Sequence, residues 1–225
     1  MILRVVCLML VAVSVAAKPK SAGFVEADFP FVGSALDLRE RCSKAVEKGI
    51  QCILKSQINV DGKKTGWCAQ HDRGSLKLRP ARSYELASIS GNASVGIVRF
   101  LMSIEKPDDQ VIAAIQGAVR WMDGAKLKGI KLERVKDQKG QSDLVVVKDS
   151  SAPPMWARFY KIGNNEPIYC SRDGVPRKNL ADIPRERRTG YRWLGYWPAP
   201  LLSDEYPAWQ RKWARNKNVL AGSTK

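Results

Sequence analysis

Four short strings place arginine beside aromatic and acidic side chains: Trp67-Cys68-Ala69-Gln70-His71-Asp72, Pro80-Ala81-Arg82-Ser83-Tyr84-Glu85, Trp156-Ala157-Arg158-Phe159-Tyr160 and Ser171-Arg172-Asp173-Gly174. A guanidinium fork matches a carboxylate with two parallel hydrogen bonds. A Trp or Tyr ring can stack on the apolar face of a sugar, so the combination suits an acidic saccharide. The competing reading, in which each arginine pairs with a neighbouring acid and each ring fills the core, is sufficient for any one string. Four such strings in loop or strand-end settings point to binding. Metal chemistry of the zinc type has no support in the spacing, because His71 is the only histidine and no C-x-x-C pair occurs.

Those strings need a scaffold, and the periodicity of the chain supplies one. From Leu36 to Ile58 the apolar positions Leu38, Cys42, Ala45, Val46, Gly49, Ile50, Ile53 and Leu54 recur every three or four residues, which predicts a helix with one buried face. A second helix is expected over Val95–Met102 with Asn92 as its N-cap; Asn92-Ala93-Ser94 is also a glycosylation sequon. Pro107-Asp108-Asp109 opens a third helix that runs to about Met122, its apolar stripe made by Val111, Ile112, Ile115, Val119 and Met122. Beyond Gly129 the period falls to two. Ile130–Val135 and Leu144–Val147 read as a hairpin across a Lys-Gly turn, and Trp156–Lys161 pairs with Pro167–Cys170 in a second one. Two late helices are expected, over Leu180–Arg188 and Asp204–Arg215, the latter with Tyr206, Trp209 and Trp213 on one face.

With 225 residues, 44% of them apolar, the chain can bury one sizeable core. Its formal charge of +16 draws polyanions: nucleic acid, anionic membrane or acidic polysaccharide. Residues 1–17 read as a secretory signal, with Arg4 ahead of an apolar run from Val5 to Val15 that is too short to span a bilayer and small residues at its end. Residues 18–28 then form a linker, 29–215 a single domain and 216–225 a tail. Export to a secreted or periplasmic location follows. Cys42, Cys52, Cys68 and Cys170 remain after signal removal; they permit three disulfide connectivities or serve as small buried hydrophobes.

Six strings taken in order resemble landmarks of the family 10 pectate lyases. They are Trp67–Asp72, Ser94–Met102, Trp156–Tyr160, Arg172–Gly174, Arg187–Tyr191 and Tyr206–Trp209, and the similarity runs from about Phe29 to Ala214. The resemblance implies a mainly α fold: a partial (α/α) toroid of antiparallel helical hairpins, with short β-hairpins and irregular loops in the C-terminal half. It implies calcium-assisted β-elimination of polygalacturonate, with Arg82 as the catalytic base and Arg158, Arg172, Tyr160 and Asp173 as substrate-binding residues. The calcium ligands are not identifiable in the sequence. Nothing before Phe29 resembles the N-terminal part of the family's toroid, so the expectation is a truncated toroid whose uncovered helix faces favour instability or oligomerisation. A binder of acidic polysaccharide without turnover is the alternative. A nucleic-acid-binding role is disfavoured, because the basic residues are dispersed and no nucleic-acid module is recognisable.

Overall fold

The Trp156–Tyr160 segment is the hub of the fold, since it pairs with three different parts of the chain. The computed structural model describes residues 35–136, 138–215 and 217–220, so the signal, the linker and most of the tail expected from the sequence lie outside the described residues. The chain divides into two units at Gly49/Ile50, a point inside helix α1 (Ala35–Ser56). In the first unit the described part is helical and exposed through Lys48. Leu38 is 60% and Val46 47% exposed, so the expected apolar stripe is partly buried at Ile50 and Ile53 and fully buried only at Leu54 and Ile58.

The second unit overturns the toroid expectation. Its described residues form a mixed α and β structure: short helices interleaved with five two-stranded antiparallel sheets, and no ring of helical hairpins. The cause is visible in the segments after Trp67, where strands of two residues recur between turns closed by local hydrogen bonds, and a few longer-range bonds such as Gly91 N to Arg158 O and Arg158 N to Trp193 O tie the loops together. Helix α2 (Ala93–Met102) and helix α3 (Asp109–Gly124) pack together. Asp108 caps α3 by accepting from Val111 N at 2.8 Å. The buried stripe of α3 includes Val111, Ile115, Val119 and Met122, as its periodicity predicts. Asn92 makes no side-chain cap for α2; Ser90 Oγ accepts from Ala93 N instead.

Strands β1 (Asn59–Val60) and β2 (Lys63–Lys64) form a tight hairpin. Gln57 fastens it to α3 by donating from Nε2 to Thr65 O and Ala114 O, at 2.8 and 2.9 Å. Trp67 is 1% exposed; its indole N–H donates to Ile53 O and its backbone N–H to Ser94 Oγ, both at 2.8 Å. The loop that follows is therefore anchored to the end of α1 and the start of α2. Cys68 and Cys170 are buried free thiols, and Cys42 and Cys52 are exposed free thiols, which fits the small-hydrophobe reading for the first two.

Within the hub, β6 (Trp156–Ala157) pairs with β10 (Leu194–Gly195), and β7 (Phe159–Tyr160) pairs with β3 (Ile89–Ser90). The expected second hairpin is present only as its closing end: Tyr160 bridges Pro167 and Ile168 N donates to Phe159 O. The next strand, β8 (Tyr169–Cys170), turns back onto β9 (Pro176–Arg177). A two-residue strand can serve several partners in succession, which periodicity alone does not reveal. The first hairpin holds as predicted, β4 (Ile130–Lys136) against β5 (Ser142–Lys148).

The expected helix over Leu180–Arg188 is split. Leu180–Asp182 is one 3₁₀ turn, Ile183 is extended ahead of Pro184, and helix α4 (Arg185–Gly190) starts afresh. Proline disfavours the α conformation in the residue before it and cannot donate the N–H that an unbroken helix needs. Near the C-terminus a π-helical turn over Leu201–Glu205 leads into helix α5 (Tyr206–Trp213), where Tyr206 and Trp209 stack at 5.9 Å.

The hairpin is locked to α4 by Arg188, which donates twice to Asp143, at 2.8 and 2.5 Å, and also to Ile183 O at 2.6 Å. The two side chains are 14% and 16% exposed, so the pair is largely dry and its loss leaves a charge uncompensated. Asp143→Asn should therefore cost about 2–4 kcal/mol, read as a lower urea midpoint at pH 7. The Arg188 hydrogen bonds hold the Asp143 carboxyl below its ordinary range. Its stabilisation is thus complete above the unfolded-state value and is lost as pH falls through the depressed folded value. Urea midpoints of wild type and variant should converge in acid; a constant gap would show that the ion pair is not the cause.

Candidate functional site

Arg158 is the one residue of Trp156–Tyr160 that is not buried. It sits where the two ladders meet: its N–H donates to Trp193 O at 2.7 Å and its carbonyl accepts from Gly91 N at 2.8 Å. With the backbone held on both sides, the guanidinium emerges in one direction. It lies over the rings of Tyr191 (4.7 Å) and Trp197 (5.1 Å), and donates from Nε to Arg192 O at 2.7 Å and from Nη1 to Asn92 Oδ1 at 3.3 Å. Among the described residues no carboxylate is within ion-pair distance of it.

Tyr191 links this arginine to the next. Its hydroxyl donates to Glu85 Oε1 at 2.6 Å, and Arg82 Nη1 donates to the same oxygen and to Tyr84 Oη, both at 3.2 Å. Glu85 is tucked in, its side chain 11% exposed, while that of Arg82 is 55% exposed. The Tyr84 hydroxyl and then the Glu85 carboxylate push the Arg82 guanidinium still higher than its ordinary value. Burial, and then the bond to Glu85, raise the Tyr191 phenol. In this state Arg82 is firmly a cation.

Tyr84 extends the array to the third arginine. Its ring touches Tyr191 edge-on at 5.2 Å and carries the Arg187 guanidinium 4.5 Å above its centre. Arg187 donates to Glu186 Oε1 at 2.7 Å, and Arg172 Nη2 donates to the same oxygen at 2.9 Å. Arg172 and Glu186 are 69% and 61% exposed. An ion pair so open to water is worth little, which leaves Arg172 free to exchange Glu186 for an incoming carboxylate.

The structure thus joins Arg82, Arg158 and Arg172 through Tyr84, Glu85, Glu186, Arg187 and Tyr191. Four guanidiniums face two carboxylates, and the aromatic rings lie between them. Sequence reasoning quoted the strings that hold Glu85 and Arg187 but assigned those residues no part. The available signal was only that each string combines arginine with tyrosine within four residues. Asn92 was missed because its type suggested a cap.

Two expected binding residues are engaged within the chain. Tyr160 is fully buried; its hydroxyl donates to Ala125 O at 2.8 Å and accepts from Ala157 N at 2.7 Å. It is a core residue that keeps the hub attached to the end of α3, and an apolar setting leaves its phenol far above its ordinary value. Tyr160→Phe strands both backbone groups and should lower stability by about 2 kcal/mol, measured as the shift in urea midpoint. Asp173 accepts from Val175 N at 3.0 Å and from Arg177 Nη2 at 2.8 Å, so it shapes the turn that presents Arg172. Asp72 has a comparable part in its own loop. Its carboxylate accepts from Ser75 N, Ser75 Oγ and Gly74 N, bonds that bring its carboxyl down to about 2. His71 Nδ1 lies 3.0 Å from Leu76 O and donates to it.

A family model described as pectic acid lyase matches residues 19–202. The chain belongs to the pectic acid lyase family. Two solved structures of the family 10 polysaccharide lyase from Cellvibrio cellulosa are similar to it at 32% identity. One is an aspartate-to-alanine mutant in complex with trigalacturonic acid, with a TM-score of 0.67 over 80% of this chain and 53% of that one. The other gives a TM-score of 0.66 over 80% and 52%. The chain therefore spans about half the length of these relatives. No curated protein sequence matches it significantly. No described helix is long and apolar enough to cross a membrane.

Calcium, implied by the resemblance, prefers six to eight oxygen ligands dominated by carboxylates. The described residues do not fit that need, since they hold no group of three or more acidic, histidine or cysteine side chains placed for a metal. The two carboxylates of the array are already engaged by guanidiniums.

Proposed function

We propose that this chain acts on polygalacturonate as a pectate lyase, cleaving the chain by β-elimination at the arginine and aromatic array. The observation that carries the reading is the single network joining Arg82, Arg158 and Arg172 in a member of the pectic acid lyase family. Guanidinium forks spaced between ring faces suit a polymer in which every sugar bears a carboxylate.

Elimination removes the hydrogen at C5 of a uronate. The C–H electron pair becomes the C4=C5 double bond, the C4–O4 bond breaks, and O4 leaves with a proton taken from solvent water. The cost lies in the negative charge that builds on the carboxylate as C5 loses its proton, and preset cations lower that cost. Arg158 and Arg172 clamp the carboxylates of neighbouring sugars. Arg82 acts as the base: it first gives a proton to solvent, for which it must part from Glu85 when substrate arrives, because a guanidinium paired to a carboxylate holds its proton, and the neutral guanidine then takes the C5 proton. Arg82→Ala should then abolish turnover while leaving pectate binding within about twofold. Unchanged turnover would overturn the assignment.

One observation favours a second assignment of the same reaction. Arg158 touches no described carboxylate, so its guanidinium can give up its own proton to solvent, and then accept the C5 proton, without such a separation. In that case the losses in the Arg82 and Arg158 variants trade places. Export of the protein, so that it meets its polymer outside the cell, belongs to the same proposal and rests on the sequence of residues 1–17.

A further inference from the structure

A cavity of about 320 Å³ shares no residue with the array. It lies among the β1–β2 hairpin, α3 and the Gly163–Asn165 turn, and its lining includes Lys63, Lys64 and Arg120 against one carboxylate, Asp61. Among the described residues none of these three cations forms an ion pair, whereas Arg41, Arg79 and Arg172 each pair with an acid.

The cavity wall is fixed by backbone contacts. Gly117 faces Lys64 so closely that an added Cβ would stand 2.5 Å from Lys64 Cβ and 2.9 Å from Lys64 O. Only glycine lets β2 lie this near to α3, and the approach brings Lys64 and Arg120 to one cavity. The Gln57 hydrogen bonds to Thr65 O and Ala114 O hold the same two elements together. On the far side Trp121 Nε1 donates to Asn165 Oδ1 at 2.8 Å. With its oxygen engaged, the Asn165 amide keeps its NH₂ as donor.

We propose that this cavity is a second anion site that takes one uronate unit of an acidic polysaccharide. The carboxylate lies among Lys63, Lys64 and Arg120, the Asn165 amide donates to a hydroxyl, and the sugar ring packs against the edge of Trp121. The inference rests on the proposed polyuronate substrate and extends it. Two sites on one chain hold a polymer more tightly than either holds a monomer, because the second contact is made at high effective concentration.

Two indole N–H groups report the sites separately: Trp121, bonded to Asn165, and Trp193, which donates to Arg187 O at 3.0 Å. NMR of the whole folded chain, titrated with galacturonic acid, should shift both indoles, whereas glucose should shift neither. In Lys63→Gln/Arg120→Gln the Trp121 shift should vanish and the Trp193 shift persist. That variant should turn over short oligomers as before and lose about tenfold in affinity for the polymer. A Trp121 indole that galacturonic acid does not move would overturn the site. Equal shifts with inorganic phosphate would overturn its uronate class. Movement of Trp121 without Trp193 would keep this site and count against the array as the place where polyuronate binds.

Discussion

Arg158→Ala should lower the rate of polygalacturonate cleavage by about a hundredfold or more, the usual scale for removing one preset donor from a charge-stabilising site. The side chain has no substitute nearby, since its direction is imposed by the two ladders that meet at residue 158. Its removal also takes a cation from the faces of Tyr191 and Trp197, so both rings lose a contact that fixes them. Pectate affinity decides the role. If Arg158 clamps a carboxylate, affinity should fall about tenfold or more together with the rate. If affinity is unchanged while turnover is lost, Arg158 is the proton acceptor and Arg82 the clamp. Arg158→Lys keeps the charge but loses the fork, and should recover only a small part of either. A rate within threefold of wild type in Arg158→Ala would remove this residue from the site altogether.

Gly91→Ala should be the more damaging change to the fold. An alanine Cβ there would stand 2.2 Å from Ala157 O and 3.1 Å from the Tyr160 ring. The first of these is backbone, so relief requires β3 and the hub strand to move apart. Overpacking of that kind costs about 1–3 kcal/mol, and more where backbone has to shift. Gly91 N also donates to Arg158 O, so the same displacement moves the guanidinium away from Tyr191. The expected result is a lower urea midpoint and a loss of pectate affinity together. Full affinity in the folded variant would show that the position of Arg158 does not depend on this contact.

The sequence made the helices legible wherever one face is buried for several turns. Helix α3 is the clear case, with its Asp108 cap and apolar stripe, and the β4–β5 hairpin is another. Legibility failed where structure depends on distant partners. Nothing in the alternation of Trp156–Tyr160 tells that it pairs with β3, β10 and Pro167 in turn, yet that crossing is what lifts Arg158 out of the core. Pro184 was visible and should have divided the helix expected over Leu180–Arg188. The expectation of a toroid came from resemblance, not from periodicity, and the described loops with their short sheets do not bear it out. In the site, arginine and aromatic composition marked the right strings, including Arg82, Arg158 and Arg172. It could not separate a buried ring such as Tyr160 from a lining ring such as Tyr191, because each lies within four residues of an arginine and only tertiary contacts distinguish them.

The central claim is that the array cleaves acidic polysaccharide by elimination, and ultraviolet absorbance of unsaturated uronide products tests it most directly. Purified, folded protein incubated with polygalacturonate at alkaline pH should produce that absorbance, and Arg82→Ala and Arg158→Ala should both suppress it. Folded protein that binds the polymer without generating unsaturated ends would contradict the claim, and would leave the array as a binding surface alone.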